Sequence, residues 1–278
     1  MALSVLTLNL WHDQGPWPER AERVRRWIDR LAPDLIGFQE ALYLPGHDQV
    51  AELLGERPYH VAFGAASRFW RAGEESRAGE FGNAIASRFP IASQEAIALP
   101  DAGDGETRGA LSVTVQARPG PISFTCTHLN WKLHHGWVRE QQAVALCDFA
   151  LRRRPKDGFP PLLVGDFNAE PDSAEVRYVT GLQSIGGFSV CFLDAWRVAG
   201  GAAPGITWSN ANPYARAERE PDRRIDYVFA GLPRRDGLGQ LAACRVVCDA
   251  EEAGVWPSDH FGVYAELRDA PLAEGAGA

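Results

Sequence analysis

The sequence predicts an α/β protein of the α+β type, in which two sheets pack face to face with helices on their outer sides. Three observations carry this. Strand-like runs outnumber helical ones, and the helices are scattered along the chain instead of alternating one for one with strands. No Pro-, Gly- or Ser-rich linker and no internal repeat divides the 278 residues into two cores. Regular alternation would point to a doubly wound parallel sheet instead.

Taken in order, residues 3–8 read as the first strand, closing on Asn9. Val24, Trp27, Ile28 and Leu31 recur at helical spacing with Arg and Glu between them, which predicts an amphipathic helix. Strands are expected at residues 35–38, 59–63, 84–86, 91–99, 111–115 and 122–127; the alternation Leu111-Ser112-Val113-Thr114-Val115 suits a strand with two unlike faces. Val138, Gln142, Ala145, Leu146 and Phe149 predict a second helix that stops at Arg152-Arg153-Arg154-Pro155. Leu162-Leu163-Val164 reads as a buried strand whose end opens into a loop at Gly165-Asp166-Phe167-Asn168, and Pro171-Asp172-Ser173 resembles a helix start. Strands at residues 225–229 and 261–267 complete the set. Residues 64–82 read as a long polar loop. Residues 1–268 are expected to form one domain, with a flexible tail at 269–278.

Hydrophobic content of 45% and charged content of 23% are those of an ordinary globular protein. The net charge is −8, and Lys132 and Lys156 are the only lysines among the 28 basic side chains. That balance does not favour a protein that grips long duplex nucleic acid through phosphate contacts, although it leaves room for a local basic funnel. Five cysteines without paired spacing predict free, largely buried thiols in a reducing compartment. No leader-like segment or membrane-length apolar run is present, so a cytoplasmic location is expected.

The chemistry gathers at strand ends. Asp166 and Asn168, two positions apart, would face one pocket, and an acid beside an amide suits hydrolysis. Taken alone, the pair could equally serve as turn formers or a helix cap. Other strand ends carry complementary groups: Asn9 after the first strand, Glu40 after the second, His128 after Phe124-Thr125-Cys126-Thr127, Asp226 within Arg224-Ile225-Asp226-Tyr227, and Ser258-Asp259-His260 before the last. A carboxylate such as Glu40 could cap the following segment or anchor a hard cation. An acid inside an apolar strand needs a partner, and Asp226 accepting from His260 would orient that ring and favour its charged form.

In this order, Asn9, Glu40, His128, Asp166-Phe167-Asn168, Arg224-Ile225-Asp226-Tyr227 and Ser258-Asp259-His260 resemble the endonuclease/exonuclease/phosphatase superfamily. Gly82-Asn83 with Ser87-Arg88-Phe89-Pro90, and Thr107-Arg108-Gly109, reinforce the resemblance. It extends from about residue 3 to residue 267, with no core motif missing. It implies a four-layer α/β/β/α sandwich of two mostly antiparallel sheets, and Mg²⁺- or Mn²⁺-dependent cleavage of a phosphoester.

The resemblance also implies roles. Glu40, assisted by Asn9 and joined by Asp259, would hold the cation, and Asp166 would deprotonate the attacking water. Asn168 would fix water or phosphate geometry. His260, positioned by Asp226, would stabilise a nonbridging oxygen, and His128 would contact phosphate or assist the leaving group. Arg108, Trp131 and His134 are expected as substrate contacts, and Phe69-Trp70-Arg71 could stack on a base or cover an apolar group. A small or soluble phosphoester is the expected substrate. The alternatives are a nuclease using a basic groove built from Arg216, Arg219, Arg223 and Arg224, and a non-catalytic binding module of the same fold.

Overall fold

The computed structural model describes residues 2–71, 77–118 and 120–272, with the backbone alone at 68–71, 77 and 78. The elements in chain order are β1 (Ala2–Asn9), α1 (Trp17–Leu31), β2 (Leu35–Leu44), β3 (His47–Asp48), α2 (Gln49–Leu54), β4 (His60–Arg71), β5 (Arg77–Ser87), β6 (Ile91–Ala98), β7 (Gly109–Ala117) and β8 (Gly120–His128). They continue with α3 (Gly136–Arg152), β9 (Leu162–Asp166), α4 (Ala174–Val179), β10 (Leu193–Asp194), α5 (Ala195–Ala199), α6 (Pro213–Arg216), β11 (Asp226–Ala230), β12 (Leu241–Val247) and β13 (Gly262–Arg268).

The strands form two mixed sheets. One runs β12-β13-β1-β2-β5-β4 with β3 beside β2, and the other runs β10-β11-β9-β8-β7-β6. Each holds one parallel pair, β1 with β2 and β8 with β9, and each pair is joined by a crossover containing a helix, as parallel strands require. Between the sheets lies an apolar layer that includes Val5, Leu35, Phe124, Val164, Val228 and Ala265. Side chains of opposite parity, Leu6, Leu8, Ile36 and Phe38, face outward onto Val24 and Ile28 of α1. On the far side Leu163, Tyr227 and Phe229 pack with Ala143, Leu146 and Val176 from α3 and α4. The result is a four-layer α/β/β/α sandwich whose layers follow from the two-residue period of strands.

Two expectations change. The segment 64–82 is mostly strand: β4 and β5 pair antiparallel from His60 with Ser87 to Arg71 with Arg77. β4 is the terminal strand of its sheet, where polar residues can alternate onto a solvent-facing side. The expected role of the Phe69-Trp70-Arg71 side chains falls outside the described residues, as does the tail from 273. Strand β12 is absent from the sequence reading; it is an edge strand buried only at every third position, Leu241, Cys244 and Val247, so neither an alternating nor a fully buried pattern marks it. The cysteines are free, as expected, but Cys191 is exposed while the other four are buried.

Glycine permits the closest approaches. Gly165 has φ 149°, and a Cβ there would fall on the Thr127 carbonyl oxygen of the neighbouring strand. A Cβ at Gly37 would lie 2.5 Å from Val164 Cγ2 in the facing sheet.

Candidate active site

The site lies where the seam between the sheets opens to solvent. Asn9, His128, Asp166 and Asp226 each continue the inward-facing parity of their strands past the apolar layer. Strand pairing aligns them: Asp166 is opposite both His128 and Asp226, and Asn9 pairs with Gln39. Glu40 does not follow from parity. Ile36 and Phe38 face α1, and continued alternation would send Glu40 the same way. The register shift between Phe38 and Ala41, with φ 56° at Glu40, turns it into the cavity instead. Asn168, at φ 49°, is also left-handed, a conformation asparagine tolerates.

A cavity of about 600 Å³ is lined by Glu40, Arg108, His128, Asp166, Asn168, Asp259 and His260, with Trp131 on its rim. Asn9 and Asp226 are buried and support the lining from behind. His134 is exposed against His135, with ring centroids 4.4 Å apart, and it is not among the lining residues. It lies on the turn before α3, beyond the point where Trp131 leaves the rim.

Asp166 is the hub. Its Oδ2 accepts from Asn9 Nδ2 at 3.1 Å and faces His128 Nε2 at 3.3 Å and His260 Nε2 at 3.7 Å, while its Oδ1 accepts from the Asn168 backbone N–H at 2.8 Å. Burial, reinforced by the charge of Asp226, pushes its carboxyl up to about 7. Asp226 Oδ2 lies 2.9 Å from His260 Nδ1. Burial opposes charge on that ring, but Asp226, Asp166 and Asp259 together hold its pKa well above the ordinary histidine value. His260 is therefore an imidazolium with both ring N–H groups as donors. Trp208 packs edge-on against it at 4.8 Å.

His128 is the opposite case. Burial and then the charge of Arg108 drive its pKa far below the ordinary value. Arg108 Nη1 lies 3.1 Å from His128 Nδ1, and a guanidinium can only donate. Nδ1 therefore accepts and Nε2 carries the hydrogen, directed toward Asp166. Asn168 Nδ2, 3.0 Å from Nε2, has its acceptor in the Leu129 carbonyl at 3.1 Å.

Asn9 Nδ2 also reaches Glu40 Oε1 at 3.3 Å, and its Oδ1 accepts from the Trp11 backbone N–H. Ser258 Oγ ties the last strand to the first by donating to the Asn9 carbonyl at 2.7 Å; it lies 3.0 Å from Asp259 Oδ1. Burial, aided by the charge of Glu40, pushes Asp259 up to about 6. The sequence reading did not single out His12, whose Nε2 lies 2.7 Å from Glu40 Oε2. Against its burial, the hydrogen bond and charge of His12 hold Glu40 below the usual carboxylate range. The signal available was its place three residues after Asn9. Glu106, Glu220 and Trp208 were missed for want of any local pattern.

The donor set fits a hard divalent cation. Glu40, Asp166, Asp226 and Asp259 concentrate carboxylate oxygens in and behind one wall, and two of them are raised by burial toward neutrality. Asp226 Oδ1 is buried without a hydrogen-bond partner among the described residues. Ligand atoms of Asp166, Asp226 and His260 fall within 4.8 Å of one another, but a protonated His260 has no lone pair to give, so a cation there is left to the carboxylates.

Residues 6–260 match the Endonuclease/Exonuclease/phosphatase family. The chain belongs to this family. The endonuclease/exonuclease/phosphatase family protein from Leptotrichia buccalis superposes with a TM-score of 0.69 at 18% identity, covering 96% of this chain and all of that one. The D. rerio TDP2 complexed with single-strand DNA product gives 0.69 at 19% identity over 96% and 99% of the two chains. The human Nocturnin catalytic domain with bound sulfate gives 0.69 at 19% identity over 96% and 93%. At these identities the likeness is one of fold. A comparison with curated proteins finds no match. As a member of the endonuclease/exonuclease/phosphatase family, the protein is a metal-dependent phosphoric ester hydrolase. No described helix is long and apolar enough to cross a membrane.

Proposed function

We propose that this chain hydrolyses a small, soluble phosphoester by in-line attack of water, with Mg²⁺ or Mn²⁺ held by Glu40, Asn9 and Asp259. The observation that carries this reading is Asp166, a buried carboxylate with a pKa near neutrality, set between a charged and a neutral imidazole. When bound, the cation supplies charge neutralisation on phosphate oxygens. Asp166 takes the proton of the attacking water, and Asn168 orients that water or the phosphate. His260, charged and fixed by Asp226, donates Nε2–H to a nonbridging oxygen as negative charge builds there. His128, neutral with hydrogen on Nε2, donates a hydrogen bond toward the leaving side.

The acidic net charge supports a small substrate. So does the fate of the arginine cluster: Arg224 is buried and paired with Asp194 at 2.8 Å, and Arg223 is buried and paired with Glu220, so the four do not make one basic groove. The five free thiols support a reducing, cytoplasmic setting.

The test is one hydrolysis panel of phosphomonoesters, phosphodiesters, sphingomyelin and single- and double-stranded DNA, each with Mg²⁺, Mn²⁺ or EDTA. Metal-dependent turnover of small esters is expected. Turnover confined to DNA would establish the nuclease alternative, and activity persisting in EDTA would overturn the metal assignment.

A further inference from the structure

The cavity's guanidinium charge is already spent. Among the described residues two arginines line it, Arg108 and Arg223, and each is bound to a carboxylate that lines it too. Arg108 Nη2 lies 2.8 Å from Glu106 Oε1, and Arg223 Nη2 pairs with Glu220 Oε2. Both arginines are almost fully buried, so neither can swing outward to meet a substrate. Arg223 is pinned further: its backbone exchanges hydrogen bonds of 2.9 and 3.0 Å with Trp208, the residue packed on His260. At the rim Lys132, next to Trp131, is paired with Asp104. Glu218 adds another acid to the lining.

Glu106 and Glu220 therefore look costly if the pocket's purpose is only to hold phosphate. A site for a dianionic monoester or a polyphosphate would leave its guanidinium groups free to fork onto phosphate oxygens. Here, apart from any bound cation and the His260 imidazolium, itself paired with Asp226, the wall presents near-neutral ion pairs and surplus acid. Such a wall accepts one negative charge at the cation and repels a second.

We propose that Glu106 and Glu220 are specificity-determining residues: by holding Arg108 and Arg223 in ion pairs they restrict the site to phosphodiesters carrying a single negative charge, against dianionic monoesters and polyanions. This rests on reading the cavity as the phosphoesterase site.

The experiment compares kcat/KM with Mn²⁺ for bis(4-nitrophenyl) phosphate, 4-nitrophenyl phosphate and a dT12 oligonucleotide. The enzymes are the wild type, Glu106→Gln, Glu220→Gln and the charge-retaining Glu220→Asp. The wild type is expected to prefer the singly charged diester. Each Gln variant should shift the ratio of monoester or oligonucleotide to diester upward by roughly tenfold or more, while Glu220→Asp keeps the wild-type ratio. Unchanged ratios in both folded Gln variants, or a wild type that prefers the monoester or dT12, would overturn the proposal. A binding measurement stands apart from turnover: anisotropy of fluorescein-labelled dT12 with EDTA present should show weak binding to wild type and tightening of the same size in both Gln variants. Lack of tightening in both refutes the charge argument even if no substrate turns over. Conversely, tightening in an enzyme inert toward all three esters refutes the catalytic reading alone.

Discussion

Asp166 and His260 show how environment divides labour among groups of ordinary chemistry. Both are buried and 3.7 Å apart, yet burial raises the acid toward neutrality while three carboxylates keep the imidazole charged. Replacing Asp166 by Asn should lower kcat by roughly 10²–10⁴-fold, the usual range for a positioned base, with an unchanged circular dichroism spectrum. A variant keeping most of its rate would remove Asp166 from the base role. Asp226→Asn tests the other half. If His260 must be protonated, activity falls as pH rises through its pKa, and loss of the Asp226 charge lowers that pKa. The alkaline limb of the pH–rate profile should therefore move to lower pH. A limb that stays in place would show that Asp226 does not set the charge of His260.

Among the elements, β9 and its exit loop join core to chemistry in consecutive residues. Phe167 is fully buried between the catalytic candidates Asp166 and Asn168, with edge-on contacts to Tyr227 at 5.5 Å and Phe229 at 5.1 Å. Its loss would open a cavity beneath the loop, and Phe167→Ala should cost about 3–5 kcal/mol in urea unfolding. A cost below about 1 kcal/mol would mean that the loop is held by its hydrogen bonds and not by packing. Strand β2 makes a related point. Its bulge spends ladder pairing to aim Glu40 at the cavity, and no period-two reading of residues 35–44 contains that turn.

For the whole molecule the raised acids tie stability to pH and metal. In the unfolded chain carboxyls titrate near their ordinary values, so between about pH 4 and 7 the folded protein binds extra protons at Asp166 and Asp259. Stability from these groups is therefore present at low pH and lost as pH rises through about 6 to 7; raised His260 acts in the same direction. Glu40, lowered, contributes fully once pH is well above the unfolded carboxyl value, so it leaves the slope between about pH 6 and 7 unchanged. Without metal, the melting temperature should be lower at pH 8 than at pH 5. Mg²⁺ or Mn²⁺ at 100 times its Kd should restore about 2.7 kcal/mol at pH 8 and much less at pH 5. Equal metal stabilisation at both pH values would argue against a cation among these carboxylates.

Much of this protein is written locally in its chain. The apolar runs of β1 and β9, the alternation of β7, the helical spacing of Val24, Trp27, Ile28 and Leu31, and the polar residues closing the strands that bear the site require only neighbouring residues to be read. Side-chain parity then carries Asp166 inward from Leu162 and Val164. Tertiary structure decided what depends on distant partners. It carried the β4–β5 pairing on through residues 64–71 and 77–82, where the chain read as a loop, bent β2 at Glu40, and set Arg108 on both Glu106 and His128. It also left His134 outside the cavity and brought His12 to Glu40. The physical reason is that periodicity reports which face of an element is buried, whereas charge state and ion pairing depend on which other element the register brings within hydrogen-bond reach.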